Sequence, residues 1–215
     1  MEPDFWLQRW SDDRIGFHQE DLNPYLLENW PHGHDAQNTL VPLCGKTLDL
    51  RFLSEFGAVT GVELSDIAIR DFFEEWNQNA TRSNREGISC TSANGVCLME
   101  ADFFNLPVSM YGSFSHAYDR AAMIALPPDT QGRYMQQLSQ LLSPKGFVLS
   151  VTIEYPHREI PGPPFSISVD EMVSRAGPYF EVEVLESIDT WRPESRLAQE
   201  GISALQTHVF GLTKR

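Results

Sequence analysis

The chain has 215 residues, 41% hydrophobic and 11% aromatic, which suits one well-buried globular domain and excludes disorder. Its formal net charge of −14 argues against a nucleic-acid backbone or an anionic membrane as partner, because both are bound through Lys and Arg. The three cysteines Cys44, Cys90 and Cys97 have no metal-ligand spacing and make no even disulfide set. The N-terminus has no apolar leader and no run nears the roughly 20 apolar residues of a membrane span, so the chain reads as soluble, reduced and cytoplasmic.

Pro3 opens a short helix to Ser11 that carries Phe5, Trp6 and Trp10. A loop through Gly16-Phe17-His18 leads to a second helix, capped by Asn23 and ending near Trp30-Pro31. Residues 31–38, with His32 and His34, read as a solvated polar loop. From Thr39 strands and helices alternate. Strand Thr39–Leu43 is followed by a helix over 48–56, and strand Val59–Glu63 by a helix over 66–77 capped by Ser65. The spacing of Ile67, Ile69, Phe72, Phe73 and Trp76 gives that helix a core-facing stripe. Residues 79–87 read as a polar insert and 88–101 as a hairpin turning at Asn94-Gly95, which sets Cys90 opposite Met99. Then come a strand over 113–119, a helix over 134–142 and a continuously apolar strand over 147–153. Tyr155 to Phe165 is too rich in proline for regular structure. A helix over 169–175 and two closing strands, 180–188 and 203–212, fit an antiparallel hairpin at a sheet edge.

Several residues are placed for chemistry. The single glycine turn Leu43-Cys44-Gly45 lacks the three glycines of a pyrophosphate-binding fingerprint but leaves room for an adenosine ligand without phosphates. Glu63 ends an apolar strand, where open α/β sheets bind ligands, and a carboxylate there can accept from a ribose diol. Asp102 and Asp119 also sit at strand ends. Together the three acids would line a negative rim suited to a cation such as a sulfonium. Arg120 has the planar fork that a carboxylate needs. Trp10 could cover a sulfonium by cation–π attraction, and His18 could shuttle a proton, although packing is the commoner role for both residue types. No cluster in the sequence points to a metal, and no Gly-x-Ser-x-Gly elbow points to a hydrolase.

Seven blocks in order resemble the bacterial thiopurine S-methyltransferases: Phe5-Trp6-x3-Trp10, Ile15 to Gln19, Val41-Pro42-Leu43-Cys44-Gly45-Lys46, Gly61 to Ser65, Asp102-Phe103-Phe104, Tyr118-Asp119-Arg120-Ala121-Ala122 through Pro127, and Gly162 to Ser166. The resemblance implies a class I methyltransferase fold. That fold is α/β and Rossmann-like, with a seven-stranded, mostly parallel sheet whose last strand is antiparallel and with helices on both faces. Residues 1–215 would make one domain, in which 1–38 cover the cofactor site and 39–215 form the α/β core. S-adenosyl-L-methionine would lie across the strand ends. Trp10 and Phe17 would cover it, Leu43 and Gly45 would approach its methionine part, Glu63 would bind the ribose, and Asp102 and Phe103 would frame the adenine. Arg120 would serve either the cofactor or the acceptor, and Pro163 and Phe165 would wall the acceptor site.

The implied reaction is in-line displacement at the sulfonium methyl by a thiol of the thiopurine or another aromatic or heterocyclic type, or by a selenium or tellurium compound. Positioning supplies most of the acceleration, because the positive sulfur already activates the methyl carbon. No base is assigned; His18 or Asp119 could assist by hydrogen bonding. The expected partner is a small-molecule acceptor, with no nucleic acid and no membrane, and the expected state is a monomer. Two other readings are a nicotinamide-dependent oxidoreductase, which the single-glycine turn disfavours, and a non-catalytic module that binds adenosine or S-adenosylmethionine.

Overall fold

The computed structural model describes residues 3–31, 33 and 37–215; the loop histidines His32 and His34 lie outside the described residues. Contacts group the chain into two units, the first running to Tyr118 and the second covering Asp119–Arg215.

The first unit opens with helix α1 (Pro3–Ser11) and helix α2 (Pro24–Asn29). Asn23 starts α2 by accepting the Tyr25 N–H, and Pro24 stands at the first helical position, where its missing N–H costs nothing. Strand β1 (Gln37–Pro42), helix α3 (Asp49–Leu53), strand β2 (Gly57–Glu63) and helix α4 (Asp66–Glu75) then form a β–α–β–α run. Ser65 caps α4 by accepting the Ala68 N–H, and Ala68, Ile69, Phe72 and Phe73 make its buried face. Strands β3 (Thr81–Arg85), β4 (Ile88–Ala93) and β5 (Val96–Glu100), helix α5 (Val108–Tyr111) and strand β6 (Phe114–Arg120) complete it, with the unit boundary inside β6. The strand order is β3-β4-β5-β2-β1-β6. β5, β2, β1 and β6 are parallel, while β3, β4 and β5 pair antiparallel.

The second unit contains helix α6 (Pro128–Leu141), strand β7 (Leu142–Glu154), helix α7 (Val169–Ala176), strand β8 (Phe180–Asp189), helix α8 (Arg196–Gln199) and strand β9 (Gln206–Lys214). Its strand order is β7-β9-β8, and β9 is antiparallel to both neighbours. The closing hairpin is therefore present, with its second strand inserted between β7 and β8.

Three sequence expectations need correction. The stretch 79–87 is not only a polar insert, because Thr81–Arg85 forms β3. The helix expected from Tyr134 begins at Pro128, a good first helical residue that starts a turn of polar side chains. The described residues form nine strands rather than seven; the surplus is the β3–β4 pair added outside β5. The alternation of strands and helices and the antiparallel last strand agree with the architecture that the resemblance implies.

Candidate functional site

β1 and β2 end side by side, with Pro42 paired to Val62, and the chain then makes a turn that few residues tolerate. Leu43 has φ +49° and Gly45 φ +54°, both left-handed. The Cys44 N–H still reaches the Val62 carbonyl at 3.0 Å, so the turn remains tied to β2.

Glu63 closes this turn. It is only 7% exposed, and it accepts the Gly45 N–H at Oε2 and the Ser65 N–H at Oε1, each at 2.8 Å. Burial pushes the carboxyl up from its ordinary value, and the N–H groups of Ser65, Gly45 and Leu64 oppose that rise by favouring the ion. A carboxylate has about four acceptor positions, so these two short bonds leave capacity for a pair of hydroxyls. The acid thus fixes the β1 turn and the entry to α4 while still offering oxygen lone pairs.

An aromatic cluster stands over the turn. A Cβ at Gly45 would come within 3.1 Å of the Trp10 ring, a tight contact, and the left-handed φ of +54° independently favours glycine there. Trp10 is buried and meets Phe17 edge-on at 5.7 Å, while Phe17 meets Trp6 at 5.6 Å. His18 is half-buried in the same loop, and its N–H donates to the Ile15 carbonyl at 2.7 Å. Gly61 is enclosed more tightly than Gly45, by packing rather than by backbone conformation: a Cβ there would meet Leu98 at 2.5 Å and Cys44 Sγ at 2.7 Å. Burial, with the nearby Glu63 charge, pushes the Cys44 thiol well above its ordinary value.

β5 ends beside β2, with Glu100 paired to Glu63 and the Ala101 N–H on the Glu63 carbonyl at 2.9 Å. Asp102 follows at once and caps a single 3-10 turn, Phe103–Asn105, by accepting the Phe104 N–H at 2.9 Å and the Asn105 amide at 2.8 Å. Phe103 is buried under that turn. The first unit therefore gathers Trp10, Phe17, Leu43, Gly45, Glu63, Asp102 and Phe103 around the carboxyl ends of β1, β2 and β5.

In the second unit Asp119 departs from the expected rim of three acids. It is only 1% exposed and turns inward, accepting the Met123 N–H at 3.1 Å and the Ser150 hydroxyl at 3.3 Å, with the Tyr134 hydroxyl also bonded to it. Burial pushes its carboxyl up to about 6, against those donors. Asp119 thereby holds the turn that carries Arg120, in which Ala121 takes φ +62°. The same turn reaches the proline-rich segment, because the Phe165 N–H donates to the Ile124 carbonyl at 2.7 Å. Gly162 packs under Phe165, where a Cβ would come within 2.7 Å of the ring, and Tyr155 Oη donates to the Pro164 carbonyl at 2.6 Å. Arg120, Pro163 and Phe165 are thus parts of one braced region of the second unit. Among the described residues no group of three or more His, Cys, Asp or Glu could hold a metal ion.

Sequence reasoning finds Ser65 only as a helix cap and does not single out Tyr134, Ser150 or Tyr155. The Ser65 N–H is a backbone group with no sequence signal. Tyr134 does carry one: four residues before Leu138, it falls on the buried face of α6.

The model of the family described as thiopurine S-methyltransferase matches residues 1–215. A thiopurine S-methyltransferase of Pseudomonas putida is 42% identical over 217 residues, covering 100% of both chains. One of Nitrosospira multiformis is 37% identical over 218 residues, covering 100% of this chain and 99% of its own. Among solved structures, the 1,6-didemethyltoxoflavin-N1-methyltransferase of Burkholderia thailandensis, crystallised with S-adenosylhomocysteine, superposes with a TM-score of 0.67 at 16% identity, covering 99% of this chain and 86% of its own; this likeness concerns the fold.

Proposed function

This chain belongs to the thiopurine S-methyltransferase family and is an S-adenosylmethionine-dependent methyltransferase, and from that premise we propose that it methylates the sulfur of thiopurines or other aromatic and heterocyclic thiols, and selenium or tellurium nucleophiles of the same softness. The observation that carries the site assignment is the Glu63 clamp, a buried carboxylate held by two backbone N–H groups with acceptor capacity left over.

S-adenosylmethionine, when bound, supplies a methyl group activated by a positive sulfur. Glu63 accepts the ribose hydroxyls. The backbone at Leu43 and Gly45 borders the methionine part, and Asp102 and Phe103 border the adenine. Trp10 and Phe17 cover the site and exclude water. Arg120, Pro163 and Phe165 serve the acceptor side. A heterocyclic thiol ionises easily, so orientation replaces a strong base. His18 assists by hydrogen bonding, whereas the inward-facing Asp119 acts by holding the Arg120 turn. Residues 1–215 work as one methyltransferase domain, with 1–38 as the cofactor cover and 39–215 as the α/β core. The protein is a cytoplasmic monomer that detoxifies small thiols and chalcogen compounds, with no nucleic-acid or membrane partner. Among the described residues no helix is long and apolar enough to cross a membrane.

Calorimetric titration with S-adenosylhomocysteine tests the site. Saturable one-to-one binding is expected, weakened in Glu63→Ala by about 1.5–3 kcal/mol, the scale of a charge-assisted hydrogen bond. Glu63→Gln, which keeps the shape and one acceptor, serves as the folded companion and is expected to fall between. Unchanged affinity in both variants would remove Glu63 from the site.

A further inference from the structure

The β4–β5 hairpin carries a pair of sulfurs that the methyl-transfer reading does not use. Its turn is Asn94-Gly95, with φ +46° and +80°, the two left-handed residues of a tight hairpin. That turn sets Ala93 against Val96, Ser92 against Cys97 and Cys90 against Met99. Cys90 and Cys97 therefore lie on one face, diagonal to each other across the two strands. The Cys90 thiol donates to the Ile88 carbonyl at 3.7 Å, the Cys97 thiol lies close enough to act on it electrostatically, and neither cysteine is in a disulfide. Cys90 is buried and Cys97 half-buried, so the pair opens to solvent on the Cys97 side. The third cysteine, Cys44, is buried in the turn beside Glu63 and belongs to a different region.

We propose that Cys90 and Cys97 form a dithiol site that chelates a trivalent, monosubstituted arsenical. Two neighbouring sulfurs on one rigid face can bond a single arsenic atom without the backbone approach that a disulfide requires. The step is a condensation. The hydrated arsenical R–As(OH)2 exchanges both hydroxyls for the two sulfurs, each thiol proton leaves with a hydroxyl as water, and arsenic stays trivalent. No oxidant or reductant takes part. Burial, with Cys97 alongside, raises the Cys90 thiol above its ordinary range, which slows reagents that need a thiolate but not a reagent that displaces both protons as water. This site is separate from the cofactor assignment and does not rest on it.

Phenylarsine oxide added to the full chain, followed by thiol counting and intact mass, is the test. One arsenical per chain is expected, with two of the three thiols lost and both restored by excess 2,3-dimercaptopropanol. Cys97→Ser, at the half-buried position, should weaken binding at least tenfold with an unchanged circular dichroism spectrum, and Cys90→Ser should do the same if it folds. Cys44→Ser should bind like the parent. The proposal fails if the parent takes up no stoichiometric arsenical, if Cys97→Ser retains the affinity, or if Cys44→Ser loses it. S-adenosylhomocysteine titration of the same variants reads the cofactor site separately.

Discussion

Two buried acids do opposite work on their surroundings. Glu63 holds backbone donors and keeps capacity for a ligand, while Asp119 spends its oxygens on Met123, Ser150 and Tyr134. The Asp119 carboxyl titrates at about 6 in the folded chain and near 4 when unfolded, so its contribution to stability is fully present below about pH 4 and is lost as pH rises through 6. That displacement corresponds to about 3 kcal/mol. Asp119→Asn cannot titrate, so the parent should lose about that much relative to the variant between pH 4 and 7, measured by denaturant unfolding at both ends. A difference that stays constant with pH would mean that Asp119 titrates alike in both states. Glu63 was legible because its strand ends in an acid. The inward turn of Asp119 was not, since its donors come from backbone N–H groups three and four residues on, from β7 and from α6.

Elements were legible where periodicity and punctuation agreed. Helix α7 is the clearest case: Ser168 accepts the Glu171 N–H at 3.3 Å and Glu171 accepts the Ser168 N–H at 2.9 Å, a reciprocal cap. Arg175, one turn on, adds an ion pair to Glu171 at 2.7 Å. Ser168→Ala should lower the unfolding free energy by about 1 kcal/mol, read as a shift in the denaturant midpoint, whereas Ser168→Thr should retain most of it. Equal losses in both would assign the effect to packing rather than to the cap. β3 was illegible for the opposite reason. Every residue of Thr81–Arg85 is exposed, so neither face carries an apolar alternation. The start of α6 was hidden because its first turn, Pro128-Asp129-Thr130-Gln131, offers no apolar stripe even though Gln131 is buried and donates to the Leu126 carbonyl.

At the scale of the molecule, the order of strands is what sequence reading reaches least, because pairing partners lie far apart in the chain. The closing hairpin was legible; the insertion of β9 between β7 and β8 was not. Ligand binding gives the corresponding global prediction. S-adenosylhomocysteine at a hundred times its dissociation constant should add about 2.7 kcal/mol to the folded state, and for a chain of this size should raise Tm by about 5–10 °C. A saturated sample with an unmoved Tm would contradict binding to the native state.

The placement of β9 bears on how the protein is made. β8 ends at Asp189 and leaves the ribosome before Gln206–Lys214, the strand that joins it to β7 and is its own pairing partner. Until that last strand emerges, β8 has an open edge, and synthesis at about 5–20 residues per second leaves that edge waiting for seconds. Glu181, Glu183 and Glu186 along β8 repel a second copy of the same strand during that interval, so these acids guard the β8 edge until β9 emerges to cover it.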